Sequence, residues 1–532
     1  MIRQAQRILF VLAVIVSAMA FLSACGDDSE SSSGQAQADD DDDDDNDNDD
    51  DDNDNDNNDN DDSSDDDDDD SIFHHPHDGR LYVAAGSAVI TPNDENHPCL
   101  QTLAGTALNR LATGVHDELE LRVIVMEKDG VHFVLIVGDL IGLRLPDAQL
   151  VMKALAAYGV DPEHVIFSST HSHEAPDTVG IWGKNVFRTG RCPEYINFLI
   201  ATATAKVVEL AAQMVPVTVE AATVYLDDPQ APDPAWVADS RWPLIKNRNL
   251  TAARFLDEAG KTVATLVNWH CHPEVLIWSS EYSADFPRWL RNRMEDEFGG
   301  IAVYISGTVG GLLNPFDIGV PEYTADGEPV LENGQPVYIG DGSEANMWSM
   351  GYALADRAIA ALADATPLDL ALTVDTTAVK IPVTNLVIVL AIVTGLVPPF
   401  NGLVTDEPGF CGFYGCFVQT LQHVRLGRLH LVAVPGEGLS ESSIGRVETA
   451  YDFGAPWGVA VFPAMSGYRE ALPEGDLLID IGLANNEIGY ILPETDLHPA
   501  SHPDYYEEKY NISRPAERII REALTEMLDG SQ

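Results

Sequence analysis

Short apolar runs alternate with longer amphipathic stretches along the chain from about residue 81 to its last residue, 532. The short runs predict buried strands at 131–137, 164–168, 263–269, 301–306 and 429–434. The longer stretches have helical spacing and lie at 148–158, 195–214, 287–298 and 344–365. Strands that alternate with helices predict an α/β fold with mixed β-sheets flanked by helices. No linker interrupts residues 81–532, so we expect them to form a single large domain.

The first 25 residues have a different pattern. Arg3 and Arg7 precede an apolar stretch at 8–21, which is too short to span a bilayer comfortably. The next residues, Leu22-Ser23-Ala24-Cys25, are similar to a bacterial lipobox, which implies cleavage before Cys25 and a lipid on its thiol. The alternative is a simple anchor helix with a chance cysteine. The lipobox predicts a lipid-anchored protein of the bacterial cell envelope, on either the periplasmic side or the outer-membrane surface.

Residues 26–72 are mostly Asp, Asn, Ser and Gln. Such a segment cannot bury apolar surface and repels itself, so we expect an extended, disordered linker between the anchor and the body. The whole chain has 86 acidic and 30 basic residues, for a net charge of -56. We find no cluster of Lys and Arg suited to phosphate binding, which argues against a nucleic-acid partner.

Five cysteines follow Cys25. Cys411 and Cys416 are close enough to close a small loop, and we favour a disulfide over zinc binding because no second pair is nearby. Cys99 and Cys192 could form a second disulfide, which would leave Cys271 unpaired. The sequence alone does not determine this connectivity.

One apolar run, at 387–397, ends at two prolines. It is too short to span a bilayer, so a buried segment is the default expectation. The alternative is an exposed flap that collects lipid.

Metal-binding residue types follow several of the predicted strands. His171 and His173 come after the strand at 164–168, His272 comes after the strand at 263–269, and Glu437 comes after the strand at 429–434. Tyr490 ends the segment 482–490. Ligands of α/β proteins gather at the carboxyl ends of strands, and a catalytic zinc takes three or four N and O ligands with room for water. Each signal alone has another reading: a solvated His pair, a helix cap at Glu437 or a packed aromatic ring at Tyr490.

Taken together, these segments resemble the neutral/alkaline, non-lysosomal ceramidases. The opening strand Ala85-Gly-Ser-Ala-Val-Ile-Thr-Pro92 is similar to that of the family. Three later blocks follow in the family's order, and they are Ser168-Ser-Thr-His171-Ser-His173, Asn268-Trp-His-Cys-His272-Pro273 and Val434-Pro-Gly-Glu437. The segment from Gly482-Leu to Gly489-Tyr490 completes a similarity that spans roughly residues 82–510.

The resemblance implies a set of site residues. The zinc ligands would be His171, His272, Glu437 and Tyr490. His173 would handle protons as the acid/base, and Arg248, Ser283 and Tyr506 would correspond to the family's active-site arginine, a functional serine and the tyrosine that helps to hold the oxyanion. Asp139 either orients a ligating imidazole from behind or caps the end of a strand.

The implied function is a zinc-dependent hydrolase that cleaves the N-acyl amide bond of ceramide or a similar lipid with metal-activated water. Where the family continues His-Thr-His-Ser-Gly-Pro-Gly, this chain reads His173-Glu-Ala-Pro-Asp177. A zinc hydrolase of a different amide or ester therefore stays open, and a non-catalytic surface-binding lipoprotein is a third reading. The sequence does not give the oligomeric state.

Overall fold

The computed structural model describes residues 71–530 except 186, 187, 240, 312, 387, 389–410, 412–414 and 499–505. The predicted signal peptide, Cys25 and nearly all of the linker therefore lie outside the described residues, as does the apolar run at 387–397 apart from Ile388. The folded body begins earlier than the predicted residue 81. Phe73 is buried and stacks on His132 with ring centroids 4.5 Å apart, because its apolar ring completes the edge of a core cluster.

A large mixed sheet contains nine strands. In chain order they are β1 (Leu81–Val89), β2 (Glu120–Lys128), β3 (Val131–Gly138), β4 (Val165–Ser169), β5 (Val215–Tyr225), β6 (Asn249–Asp257), β7 (Thr262–Trp269), β8 (Ile301–Ser306) and β9 (Thr366–Pro367). Their order across the sheet is β8-β7-β6-β5-β1-β2-β3-β4, with β9 paired to β5. The pairs β7/β8 and β3/β4 are parallel, and the other pairs are antiparallel.

A second sheet contains four strands: β10 (Leu372–Pro382), β11 (Cys416–Leu426), β12 (Leu429–Ala433) and β13 (Leu477–Ile481). Only the pair β12/β13 is parallel. Short strands make further two-stranded pairs: Gly114–Val115 with Glu281–Tyr282, Ala238–Asp239 with Leu313–Asn314, Val320–Pro321 with Tyr338–Ile339, Leu331–Glu332 with Gln335–Pro336, Glu437–Gly438 with Tyr490–Ile491, and Thr449–Asp452 with Val459–Phe462.

Six α-helices are present in the described part of the chain: α1 (Leu145–Ala156), α2 (Pro193–Ala211), α3 (Phe286–Phe298), α4 (Glu344–Ala363), α5 (Ser440–Ile444) and α6 (Ala516–Asp529). Capping explains where two of them begin. The Asp285 side chain accepts from the N–H of Phe286 ahead of α3, and Ser343 accepts from the N–H of Asn346 ahead of α4. Within these residues, none of the helices is long and apolar enough to cross a membrane.

The helices cover the outer faces of the two sheets, which pack against each other. One core cluster joins the inner face of the large sheet to the small sheet, through residues such as Phe133, Leu266 and Leu431. Helices α1 and α2 cover one half of the outer face of the large sheet, and α3 and α4 cover the other half. Helix α6 packs on the outer face of the small sheet. The α/β fold with helix-flanked mixed sheets is therefore confirmed.

The two edges of the large sheet approach each other. Ser306, at the end of β8, donates to the carbonyl of Thr170, just after β4, over 2.6 Å. The segment after β13 lies against both edges, because the N–H of Gly482 donates to the carbonyl of Ser306 and the hydroxyl of Ser168 donates to the carbonyl of Gly482. The sheet thus curls, and strand ends that are far apart in strand order come together.

Both predicted disulfides are present. Cys99 is bonded to Cys192, and Cys411 is bonded to Cys416. Cys271 is buried and forms no disulfide, as expected once the other four cysteines of the body are paired.

Candidate metal centre

The backbone fixes the orientation of two imidazoles. His171 follows β4 and has φ +69, a left-handed conformation that is uncommon for a residue other than glycine and that concentrates at functional sites. Its Nδ1 lies 2.6 Å from the carbonyl oxygen of Ile141. His272 follows β7, and its Nδ1 lies 2.9 Å from the carbonyl oxygen of Leu313. Because a carbonyl only accepts, each Nδ1 carries a hydrogen, which leaves Nε2 as the nitrogen that can bind a metal ion.

Both free nitrogens face the carboxylate of Glu437, which follows β12. Its Oε2 lies 3.1 Å from Nε2 of His272 and 3.7 Å from Nε2 of His171. The two rings are 4.9 Å apart at their centroids. Two imidazole nitrogens and a carboxylate oxygen that face one point form a donor set that suits zinc.

Tyr490 is placed beside Glu437 by a parallel bridge between Glu437–Gly438 and Tyr490–Ile491. Its hydroxyl lies 3.2 Å from the hydroxyl of Tyr506, which is 40% exposed. Burial, together with the negative charge of Glu437, raises the pKa of Tyr490 well above its usual value. The structure therefore places Glu437 against both imidazoles and Tyr490 beside Glu437 and Tyr506, while their roles as ligands and as the oxyanion tyrosine stay predictions.

His173 is the third imidazole of the cluster. Donor atoms of His171, His173 and His272 lie within 4.8 Å of one another, so the three side chains could hold a metal ion. Nδ1 of His173 lies 3.0 Å from Oε2 of Glu274. Burial lowers the pKa of His173 well below its usual value and raises the pKa of Glu274 to about 7. Burial therefore favours the uncharged form of both groups, and the contact is not a strong ion pair.

The two imidazoles that face Glu437 differ in their electrostatics. Burial lowers the pKa of His171 to about 4, although Glu437 acts in the opposite direction. Burial also acts to lower the pKa of His272, but its hydrogen bond to Glu437 and the charge of Glu274 raise that pKa to about 9. A proton on His272 and a cation would compete for the carboxylate of Glu437. We therefore expect a cation that binds at the centre to displace the proton.

Asp139 does not orient an imidazole. Its carboxylate forms two hydrogen bonds with the buried guanidinium of Arg291, at 2.7 and 2.8 Å, and accepts from the N–H of Glu120 at 3.0 Å. The carbonyls of Ile141 and Leu313 already occupy the positions behind the two imidazoles. The structure supports the role of Asp139 at the end of a strand, and the interpretation that it orients a ligating imidazole is wrong.

Ser283 is fully buried next to the centre rather than in it. Its hydroxyl donates to Asp117 over 2.5 Å and accepts from the N–H of Asp285 at 2.9 Å. Its carbonyl accepts from the hydroxyl of Ser172, which lies between the two histidines of the first motif. Ser283 thus touches the backbone that carries His171 and His173, while its functional role stays a prediction.

Arg248 contacts residues at the end of β5. Its guanidinium donates to the carbonyl of Leu226 at 2.7 Å, pairs with Asp227 and lies over the ring of Tyr225. Among the described residues, its hydrogen bonds and ion pairs do not include the imidazoles or Glu437. Its role in the active site stays a prediction.

Sequence reasoning missed three contributors to the centre. Glu274 is only two positions after His272, but a lone carboxylate in a turn gives no signal of its own. Gly105 packs against the ring of His173, so closely that an added Cβ would lie 2.4 Å from its Cγ. Glu174 is buried 3.6 Å from Arg110, and neither of its oxygens has a hydrogen bond among the described residues.

Comparison with known proteins supports the fold. The chain is similar to the crystal structure of neutral ceramidase from Pseudomonas aeruginosa, with a TM-score of 0.59 and 15% sequence identity, over 85% of this chain and 75% of that one. A solved structure of a ceramidase complexed with C2 has a TM-score of 0.59 and 14% identity over the same shares. No protein-family model and no curated protein matches. At such identity the likeness establishes the fold, and it confirms the fold that the resemblance implied.

Proposed function

We propose that this chain, which has the fold of neutral ceramidase, is a zinc-dependent hydrolase that cleaves the N-acyl amide bond of ceramide or a similar lipid. One observation carries the proposal: the imidazoles of His171 and His272, which follow different strands, both face the carboxylate of Glu437, and a backbone bridge pairs Tyr490 with Glu437. The fold likeness and the order of the motifs support the substrate class.

The residues present fit the proposed metal. Nε2 of His171 and Nε2 of His272 would hold it, together with the carboxylate of Glu437 and the phenol oxygen of Tyr490. Zinc in such a site supplies a Lewis acid that polarises an amide carbonyl and activates water. The carbonyls of Ile141 and Leu313 hold the two imidazoles in the tautomer that this requires.

The neighbouring side chains would manage protons and charge. Because burial favours neutral His173, its free nitrogen can accept a proton from the attacking water and later pass a proton to the leaving amine. The hydroxyl of Tyr506, 3.2 Å from that of Tyr490, is placed to donate to the amide oxygen as negative charge develops there. One such donor typically contributes about 3 to 4 kcal/mol to the stability of the transition state.

A second candidate is a zinc hydrolase of a different amide or ester. The buried carboxyl group of Glu174 favours it, since the family pattern has another residue directly after the second histidine. Together with the buried Glu274, which contacts His173, Glu174 changes the polarity and shape of the surroundings of His173.

We also propose that the enzyme works at the cell envelope, attached through a lipid on Cys25. The N-terminal positive segment, the short apolar stretch and the lipobox-like sequence support this location. A lipid on Cys25 would be detected by mass spectrometry of the mature protein, and a mature protein without that lipid would contradict the anchor.

Activity and metal content test the function. His171→Ala and His272→Ala are each expected to lose most of the bound zinc and at least about a thousandfold of hydrolytic rate, since a lost ligand removes the Lewis acid. His164→Ala, which changes a histidine outside the cluster, is the control and should keep both. The assay uses a panel of ceramide, another N-acyl lipid and a lipid ester.

The outcomes separate the candidates. Hydrolysis of ceramide above the other substrates supports the first candidate, and preference for another member of the panel supports the second. Full activity of His171→Ala or His272→Ala would remove the centre from the mechanism.

A further inference from the structure

Three loops next to the imidazole cluster contain no acidic residue. Residues 72–532 carry 60 acids, about one in every eight positions, whereas the 40 residues at 99–116, 178–193 and 275–280 carry none. We call these segments the acid-free loops. Lys184 and Arg188 are exposed on the second of them. The segments lie between acidic residues in the sequence, so the lack of negative charge is confined to the loops themselves.

The acid-free loops are joined to one another. The N–H of Asn109 donates to the carbonyl of Gly183 at 3.0 Å, and the Cys99–Cys192 disulfide links the same two loops. The guanidinium of Arg110 donates to the carbonyl of Ser279 at 3.0 Å, in the third loop. The described residues of these segments, distant in sequence, therefore lie side by side.

The acid-free loops border the metal centre. Gly105, in the first loop, packs on the ring of His173, and Arg110 also donates to the carbonyl of His173 at 3.1 Å. The third loop begins directly after Glu274, whose carboxylate contacts His173. A molecule that rested on the acid-free loops would lie next to His173.

Several of the exposed side chains of the loops are large and apolar. Trp278 is 80% exposed, Leu108 is 43% exposed and Leu111 is 40% exposed. A soluble surface rarely presents a tryptophan so fully to water, and tryptophan is the residue that is enriched where proteins meet the headgroup region of a bilayer. Exposed Lys and Arg beside such apolar residues attract anionic lipid headgroups.

The geometry points to a membrane-docking surface: the acid-free loops rest on an anionic bilayer, with Trp278 and the two leucines in the headgroup layer. This inference rests on the proposed function in one respect, since a lipid substrate must leave a bilayer to reach His173. Docking next to His173 would let an amphipathic substrate pass from the bilayer to the centre without crossing water.

Hydrogen–deuterium exchange on the mature full chain tests the docking. It reports on each segment separately, so protection of the loops is distinguished from attachment through the N-terminal anchor. The chain is compared in detergent, on vesicles of phosphatidylcholine, and on vesicles that also contain phosphatidylglycerol, none of which holds an N-acyl substrate. On the anionic vesicles, we expect exchange in 99–116 and 275–280 to slow at least about fivefold, since the bilayer shields these amides.

Two substitutions and a control sharpen the test. Trp278→Ser should remove most of the protection, and Lys184→Glu with Arg188→Glu should weaken it on the anionic vesicles. The control is Leu331→Ser, which changes a residue that is 58% exposed on the hairpin of Leu331–Glu332 and Gln335–Pro336. It should leave the protection unchanged.

Three results would overturn the inference. They are equal exchange on vesicles and in detergent, equal protection on phosphatidylcholine alone, and protection that appears without lipid as the protein concentration rises, which would identify a second copy of the chain as the occupant. Because no substrate is present, these results are independent of catalysis. A chain that docks as expected but hydrolyses no lipid would remove the proposed function and leave the docking in place.

Discussion

Replacing Gly105 should move the ring of His173 without affecting metal binding. An alanine there would place a Cβ 2.4 Å from the His173 ring, and the backbone has φ +90. We expect Gly105→Ala to displace the ring and to lower the hydrolytic rate at least about tenfold, the effect of a lost acid/base group. Zinc content, measured by mass spectrometry, should stay unchanged.

The control for this variant is Gly260→Ala. Gly260 has a similar φ of +77, but an added Cβ would meet no atom within 4 Å. Both variants should lose about 1 kcal/mol of unfolding free energy from the strained backbone alone. Equal activity of the two variants would show that the position of His173 does not matter for hydrolysis.

Ser283 distinguishes a packing role from a role in the reaction. Ser283→Ala removes the hydroxyl that donates to the buried Asp117, so we expect the unfolding free energy to fall by about 1 to 3 kcal/mol. Chemical denaturation measures this change, and zinc content should not alter. Loss of hydrolysis at unchanged stability would instead assign Ser283 to the reaction, as the resemblance implied.

The sequence predicts strands with two apolar faces more readily than strands with one face open to water. The runs that became β3, β4, β7, β8 and β12 are apolar on both faces, and apolar runs of that length are the clearest strand signal. In β10, polar residues such as Thr373, Asp375 and Thr377 alternate with apolar ones, because this edge strand has one face open to water. A pattern so mixed did not stand out, and β10 was not predicted. Strand β11 and helix α6 were not predicted either, although the apolar residues of α6 have helical spacing.

The small sheet carries a buried pair of histidines that should make stability depend on pH. Nε2 of His423 lies 2.9 Å from Nδ1 of His430, whose Nε2 lies 2.9 Å from Asp476, and Asp375 is 3.9 Å from His423. Burial, aided by His430 and Arg425, lowers the pKa of His423 from 6.5 to about 4.

In the unfolded chain, His423 titrates near 6.5, so the unfolded state takes up a proton first as the pH falls. Stability that is present above pH 6.5 is then lost down to about pH 4, and the loss should reach about 2 kcal/mol at pH 5. Urea unfolding at pH 7 and pH 5 measures it. His423→Gln should lose less stability over this interval, and an equal loss in both proteins would exclude His423 as the cause.

At the scale of the whole molecule, the two disulfides should contribute unequally to stability. Cys99 and Cys192 are 93 positions apart, whereas Cys411 and Cys416 are 5 apart. A longer closed loop restricts the unfolded chain more, so removing the first bridge should cost about 2 to 3 kcal/mol more than removing the second. Thermal unfolding of the two double Cys→Ser variants compares them, and a larger loss without Cys411–Cys416 would contradict the expectation.

Local sequence patterns do not predict that the side chains of the metal centre come together. Only the resemblance to the ceramidases implied it. Apolar runs place His171 and His272 after strands, but β4 and β7 are separated by five other strands in the order of the sheet. They meet because the sheet curls until Ser306 bonds to Thr170. No local pattern encodes that curvature, and neither the contact of Glu274 with His173 nor the pairing of Asp139 with Arg291 could be anticipated from spacing.

Zinc K-edge X-ray absorption on the purified, zinc-loaded chain is the decisive test of the proposed zinc centre, because it counts the ligands around the metal. We expect one zinc per chain, bound by two imidazole nitrogens and by oxygen ligands at about 2.0 to 2.2 Å. We also expect Glu437→Gln to alter the oxygen shell while both imidazoles stay. Sulfur in the coordination shell, or a chain that retains no zinc, would contradict the proposed centre.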